Sequence, residues 1–186
     1  MFIQTEETPN PATLKFIPDG IVVVENGTAD FKDREQAANS PLAQDLFKID
    51  GVNAVFLGHD FITVTKLENI DWKQIKTEIL ATIMDFFVAG KSVLLDGSHQ
   101  SQSAFDENDS DVVKQIKELI EIKVRPAVAM DGGDIIFRGF EDGIVQLELK
   151  GSCSGCPSST VTLKNGIENM LKHYIPEVLG VEQVFD

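Results

Sequence analysis

The stretch "GIVQLELKGSCSGCPSSTVTLKNGIENMLKHY", residues 143–174, carries both cysteines of the chain, Cys153 and Cys156, between two differently patterned segments. Before them, β-branched and long apolar residues alternate with polar ones from Ile144 to Leu149, which predicts a strand. After them, Leu163, Ile167, Met170, Leu171 and Tyr174 recur with the spacing of one buried helix face. Pro157 suits the first helical position, where its missing N–H has no intrahelical partner to lose and its fixed φ matches the turn. Cys156 is then the expected N-cap, and both thiols sit in a strand-to-helix loop. Free N–H groups and the positive end of the helix dipole favour bound negative charge there, and they lower the pKa of a thiol.

Two-residue spacing lets both sulfurs reach one metal centre, as in iron–sulfur and zinc sites. Such a centre usually takes four thiolates, and one chain supplies two. A pair of identical chains related by a two-fold axis would complete the set. Spacing alone leaves other chemistries open: thiol–disulfide exchange, an all-thiolate zinc site that only joins two chains, or incidental cysteines. Thioredoxin-like enzymes also place such a pair at a helix start. Here Pro157 follows the second cysteine instead of lying between the two, and the surrounding strand order does not read as an obvious βαβ unit.

Working outward, "DIIFRGF" and "GIVQLELKG" joined by "EDG" predict a hairpin. Upstream, Val112, Val113, Ile116, Leu119, Ile120 and Val124 mark a helix face expected to stop at Pro126. Downstream, "EVLGVEQVFD" predicts one more strand. "MDGGD" sets Asp131 and Asp134 around two glycines, and paired carboxylates can bind divalent ions. A tight turn with Asp side chains bonded to local backbone is the preferred reading.

In the front half, "FIQT" and "TLKFI" predict two strands around the turn "TPNPA". "SPLAQDLFKIDG" predicts a short helix capped by Ser40 with Pro41 first. "VNAVFLGHDFITVTK" predicts a hairpin, and Trp72, Ile75, Ile79, Ile83, Phe86 and Phe87 mark a helix whose aromatic stripe reads as core. Residues 90–110 turn to Ser, Gln, Asn and Asp, with little to bury against the entropy of ordering them. The expected organisation is a first domain over 1–89, a flexible linker over 90–110 and a second domain over 111–186. The fold class is α+β: two small domains, each a short β-sheet packed with helices, joined by a polar linker.

The formal net charge of −14, most of it in residues 1–110, opposes binding to nucleic acid or anionic lipid. No apolar run approaches the roughly 20 residues of a spanning helix. The start "MFIQTEETPNP" has neither a basic head with an apolar core nor an Arg-rich, acid-poor character, so a bacterial cytoplasm is the expected compartment, with the mitochondrial matrix second for a processed chain. His59 falls in a predicted turn, His99 in the linker and His173 in the last turn of the cysteine-bearing helix. None is expected to be a ligand.

The motifs resemble those of one family. "VRPAVAMDGGDIIFRGFEDGIVQLELKGSCSGCPSSTVTLKNGIENMLKHYIPEV" is similar to the NifU C-terminal domain, with its Arg-Pro, Asp-Gly-Gly-Asp and Gly-x-Cys-x-x-Cys-Pro-x-Ser elements. "QTEETPNPATLKFIP", "SPLAQDLFKIDGV" and "VFLGHDFITVTK" resemble the companion Nfu N-terminal domain. The resemblance implies an iron–sulfur cluster scaffold and carrier, not an enzyme. It implies a [4Fe-4S] cluster, with [2Fe-2S] as a further form, bridged between two protomers by Cys153 and Cys156. Upstream cluster donors and apo iron–sulfur client proteins are the implied partners. The cysteine-free first domain would serve client recognition through its acidic surface.

Overall fold

In the computed structural model, residues 1–95, 106–154 and 157–185 are described, with the side chains of 157–159 excepted. They fall into two compact units, Met1–Gln100 and Ser101–Asp186. Each unit packs one sheet with helices, the α+β class expected from sequence.

In the first unit, β1 (Ile3–Glu7) runs antiparallel to β2 (Thr13–Pro18), in register from Ile3 opposite Pro18 to Glu7 opposite Leu14. Side chains hold the turn between them: Asn10 Oδ1 accepts from the Ala12 N–H at 3.0 Å, and Thr8 Oγ1 donates to the Thr13 carbonyl at 2.9 Å. There follow β3 (Ala29–Phe31), α1 (Pro41–Leu46), β4 (Val52–Leu57), β5 (Ile62–Lys66) and α2 (Trp72–Val88). The strand order is β1-β2-β5-β4-β3, with every neighbouring pair antiparallel. β3 was not expected; at three residues in a polar stretch it is too short to show alternation, and it is held as an edge by pairing with β4.

The caps follow the sequence closely. Ser40 Oγ accepts from the Ala43 N–H at 3.2 Å with Pro41 at the first helical position, and Asp71 with Gln74 forms a capping box at the start of α2. Leu14, Phe16, Val55, Leu57, Ile62 and Val64 of the sheet share one core with Ile75, Ile79, Ile83 and Phe86 of α2. Trp72 and Phe87 are half-buried against it, and the Trp72 indole donates to the Pro11 carbonyl at 3.1 Å. Part of the expected linker, residues 96–105, lies outside the described residues. Just before it the chain is tied to the first unit: Ser40 Oγ donates to the Val93 carbonyl at 2.8 Å, and the Leu95 N–H donates to the Asn39 carbonyl at 2.9 Å.

The second unit opens with α3 (Asp111–Leu119), capped by Ser110, and the helix does not stop at Pro126. It passes through one π-helical turn, Ile120–Val124, into α4 (Arg125–Met130). This corrects the expected stop. In the wider turn the Arg125 N–H donates to the Ile120 carbonyl, five residues back, so the register has already shifted where Pro126 lacks a donor. Glu121, Ile122 and Lys123 are exposed, so carbonyls released there meet water.

β6 (Gly133–Glu141) and β7 (Ile144–Gly151) form the expected hairpin, closed through Asp142 and Gly143 at φ 51° and 79°. Positive φ at both central residues gives the reverse-handed turn that suits the twist of paired strands. A bulge at Arg138 breaks the ladder between Phe137 and Gly139. After the cysteine stretch come α5 (Pro157–Tyr174) and β8 (Gly180–Gln183), which pairs in parallel with β7. Ile116, Ile120, Val124 and Val128 from the front helices meet Ile135, Leu147, Ile167, Leu171 and Val181 in one core. No helix among the described residues is long and apolar enough to cross a membrane.

Candidate functional site

Gly151 ends β7 at φ 68°, a left-handed conformation that turns the chain out of the sheet and into a short 3-10 turn, Ser152–Ser154. Hydrogen bonds tie that turn on two sides. Toward β6, the Ser152 N–H donates to the Gly132 carbonyl at 3.2 Å and Ser152 Oγ donates to the Asp131 carbonyl. Toward α5, Thr160 Oγ1 donates to the Cys153 carbonyl at 2.9 Å, while Ser154 Oγ donates to the Gly151 carbonyl at 2.8 Å.

Cys153 is thereby turned into the unit, 6% exposed, and belongs to the second core. Its sulfur lies where a side chain of Gly133 would be. A Cβ built on Gly133 would stand 2.9 Å from Cys153 Sγ and 2.6 Å from the Lys150 carbonyl oxygen, both closer than real Cβ atoms approach. The two glycines of "MDGGD" thus do different work. Gly132, at φ 82°, makes the turn, and Gly133, in extended backbone, makes room for the thiol.

The expected fall in thiol pKa does not hold for Cys153. Burial, the largest cause, pushes it up to about 11, the charges of Asp131 and Asp134 push the same way, and the Ser152 hydrogen bond pulls it down. The expectation rested on the dipole at the start of α5, and for a thiol this buried the loss of hydration outweighs any such dipole. Cys156, its capping role and its distance from Cys153 lie outside the described residues.

Asp134 is engaged structurally. Both of its carboxylate oxygens are gripped by Arg125, with Nε and Nη2 each at 2.9 Å, and its Oδ1 also accepts from the Ile135 N–H at 2.8 Å. Arg125 in turn donates to Glu121 at 2.8 Å. The π-turn directly precedes Arg125, so the helix irregularity and the fork-shaped ion pair at the foot of β6 belong together. Among the described residues no group of three His, Cys, Asp or Glu side chains converges to hold an ion. His59 is exposed and its Nδ1 lies 2.9 Å from the Val24 carbonyl oxygen; His173 is exposed and packs edge-on against Tyr174. His99 lies outside the described residues.

A buried charge network lies just before Gly151. Glu148 is 4% exposed, with Lys150 Nζ at 2.9 Å from Oε1 and Arg138 Nε at 2.6 Å from Oε2. Burial pushes its carboxyl up, but the hydrogen bonds and charges of Lys150 and Arg138 prevail and hold it below its ordinary value.

One topological expectation is overturned. β7, α5 and the parallel neighbour β8 form a βαβ crossover, so strand order does not separate this site from thiol–disulfide enzymes. The position of Pro157, at the start of α5 and after the second cysteine, stands as expected. Sequence reasoning also missed Gly133 and Ser152 as parts of the thiol's seat. The doubled glycine was the available signal, because this turn uses one left-handed residue, Gly132, and leaves Gly133 to be explained.

Comparison with known proteins gives the class to which this arrangement belongs. The family model described as "Scaffold protein Nfu/NifU N terminal" matches residues 3–90, and the "NifU-like domain" matches residues 116–182. The chain belongs to the Nfu/NifU family. It is 57% identical over 187 residues to the human "NFU1 iron-sulfur cluster scaffold homolog, mitochondrial", covering 100% of this chain and 73% of that protein. It is 54% identical over 190 residues to "NifU-like protein 4, mitochondrial" of Arabidopsis thaliana, covering 100% and 67%. The Drosophila ananassae relative of the same name as the human one is 53% identical over 186 residues, and the chain spans 65% of its length. A solved NifU-like protein from Saccharomyces cerevisiae is 28% identical, with a TM-score of 0.46 over 50% of this chain and 84% of that one.

Proposed function

We propose that the chain is an iron–sulfur cluster scaffold and carrier. Cys153 and Cys156 of two identical chains hold one [4Fe-4S] cluster between them and release it to apo-proteins, with [2Fe-2S] as a further form of the same cargo. The seat of Cys153 is the observation that carries this reading. A soft sulfur donor sits in the turn that leads into α5, and the nearby carboxylate of Asp134 is already taken by Arg125, so that carboxylate does not compete for the same ion. The names of the human and Drosophila relatives support the same class of function.

Each part of the chain has a stated role. Gly133 leaves space for the sulfur, and Thr160 and Ser154 hold the turn that bears it. Loading removes the thiol proton and joins two chains, so cargo and assembly are thermodynamically linked. The work is holding and handing over, and no residue is assigned to catalysis. The domains are 1–89 and 111–186 with a linker over 90–110, and the first domain recognises clients and donors through its acidic surface. Of the two compartments expected, the relatives' names, which say mitochondrial, support the second.

Anaerobic reconstitution of the full chain, followed by iron, sulfide and zinc analysis on the sized complex, tests this. Four irons and four sulfides per two chains are expected. A monomer holding an intact cluster, a zinc-only dimer, or a cluster-free chain with dithiol reductase activity would overturn it. Deleting residues 1–90 leaves loading intact and slows transfer to some clients; unchanged transfer to every client would remove the recognition role.

A further inference from the structure

Ser152 is 2% exposed, and its hydroxyl has a neighbour on each side. It donates to the Asp131 carbonyl, and its oxygen stands 3.9 Å from Cys153 Sγ, within reach of a hydrogen bond to sulfur in either direction. We propose that Ser152 is a positioning residue for the ligating sulfur of Cys153, through a hydroxyl that accepts from the free thiol and donates to the iron-bound sulfur.

One hydroxyl proton serves both states. In the free chain the S–H of Cys153 has Ser152 Oγ beside it as an acceptor, and the hydroxyl passes its own proton toward the Asp131 carbonyl. S–H to O–H to O=C is a complete chain with each donor used once. Ligation breaks the S–H bond, releases the proton to solvent and forms an S–Fe bond. The sulfur is then an acceptor only, partly negative and buried beside Asp131 and Asp134, and a buried charge without a donor is costly. The same hydroxyl turns to it. Outer-sphere hydrogen bonds of this kind orient a metal ligand, and their loss costs about 10- to 100-fold in affinity. The backbone is set for this before any cargo arrives, because Ser152 N–H is fixed to the Gly132 carbonyl and Gly133 keeps the sulfur beside the hydroxyl.

This inference rests on the proposed function for its loaded state, while its free state is tested without cargo. In a Cys156→Ser background the one remaining thiol is Cys153. Its infrared S–H stretch should lie at lower frequency than in the same background carrying Ser152→Ala. Equal frequencies would overturn the proposal whatever the chain carries. In the otherwise native full chain, Ser152→Ala should lose reconstituted cluster to a chelator about 10- to 100-fold faster. The deuterium sensitivity of its Fe–S(Cys) Raman bands should also shrink, and Ser152→Thr should restore both. Wild-type release rate with unchanged Raman bands would overturn the inference and leave the scaffold reading standing, whereas a wild-type chain that takes up no cluster would sink only that reading. Should Ser152→Ala lose its native circular dichroism, the isosteric pair Ser152→Thr and Ser152→Val decides; equal behaviour of the two would count against the hydroxyl.

Discussion

The two units bury one face of a small sheet with different materials. The first uses phenylalanines and isoleucines, among them Phe16, Phe31, Ile79 and Phe86, with capped helices and hairpin-paired strands. The second places a thiol within its core, carries a buried Glu148 between two cations, and interrupts its leading helix with a π-turn. The first unit has departures of its own, a register shift in β4 and a buried Lys15, but the thiol in the core, the buried ion network and the π-turn all belong to the second. Departures of this kind gather where a fold gives up stability for a site.

The sharpest way to break that contrast is to remove the sulfur. Cys153→Ser and Cys156→Ser should each abolish cluster uptake in the reconstitution assay while leaving the first unit's unfolding unchanged; a serine variant that stays loaded would end the assignment. Next in size, Ile79→Ala opens a cavity in the first core, where Ile79 is fully buried, and should cost about 2–5 kcal/mol. Urea unfolding followed by Trp72 fluorescence reports it, and iron content should not change. Coupled loss of cluster would show that the units do not divide labour as proposed.

A smaller effect is expected of Gly133→Ala, whose new methyl would stand 2.9 Å from Cys153 Sγ. Overpacking there should destabilise the second unit by about 1–3 kcal/mol and speed alkylation of Cys153 as the sulfur is displaced. In the first unit Gly90, at φ 64° with nothing within 4 Å of where a Cβ would stand, offers the control. Gly90→Ala should cost about 1 kcal/mol through backbone strain alone and leave thiol reactivity unchanged. The smallest effect concerns acid. Because the folded carboxyl of Glu148 lies below its ordinary 4.5, its contribution is complete above that pH and is lost as pH falls beneath it. Urea midpoints measured downward from neutral pH should show a flatter acid slope for Glu148→Gln than for wild type. Identical slopes would mean the ion network carries no pH dependence.

Much of both folds was legible in the sequence because periodicity and caps are local signals. Ser40 and Pro41 mark α1, the Ile75-Ile79-Ile83 spacing marks α2, and alternation marks the β6–β7 hairpin. What escaped depends on pairing and register that the local pattern does not show. Three residues of β3 need β4 to become a strand, and the proline after Arg125 reads as a stop unless a π-turn shifts the register first. The candidate site was half legible. Cysteine spacing points to ligation, but the burial of Cys153 is set by residues about twenty positions earlier, Asp131 to Gly133. A pattern around the thiol therefore could not foretell its raised pKa.

The parallel pairing of β8 with β7 also governs the order in which a nascent chain matures. Ile175, Val178 and Val181 complete the core around Leu171, and the Val181 N–H donates to Glu168 of α5 at 3.1 Å. A ribosome delivers the cysteines well before these residues, so the hairpin β6–β7 can form while the core it will share with β8 is still open. The first unit, translated earlier, has time to close beforehand. Synthesis itself thus leaves the core of the second unit open until translation has passed residue 181.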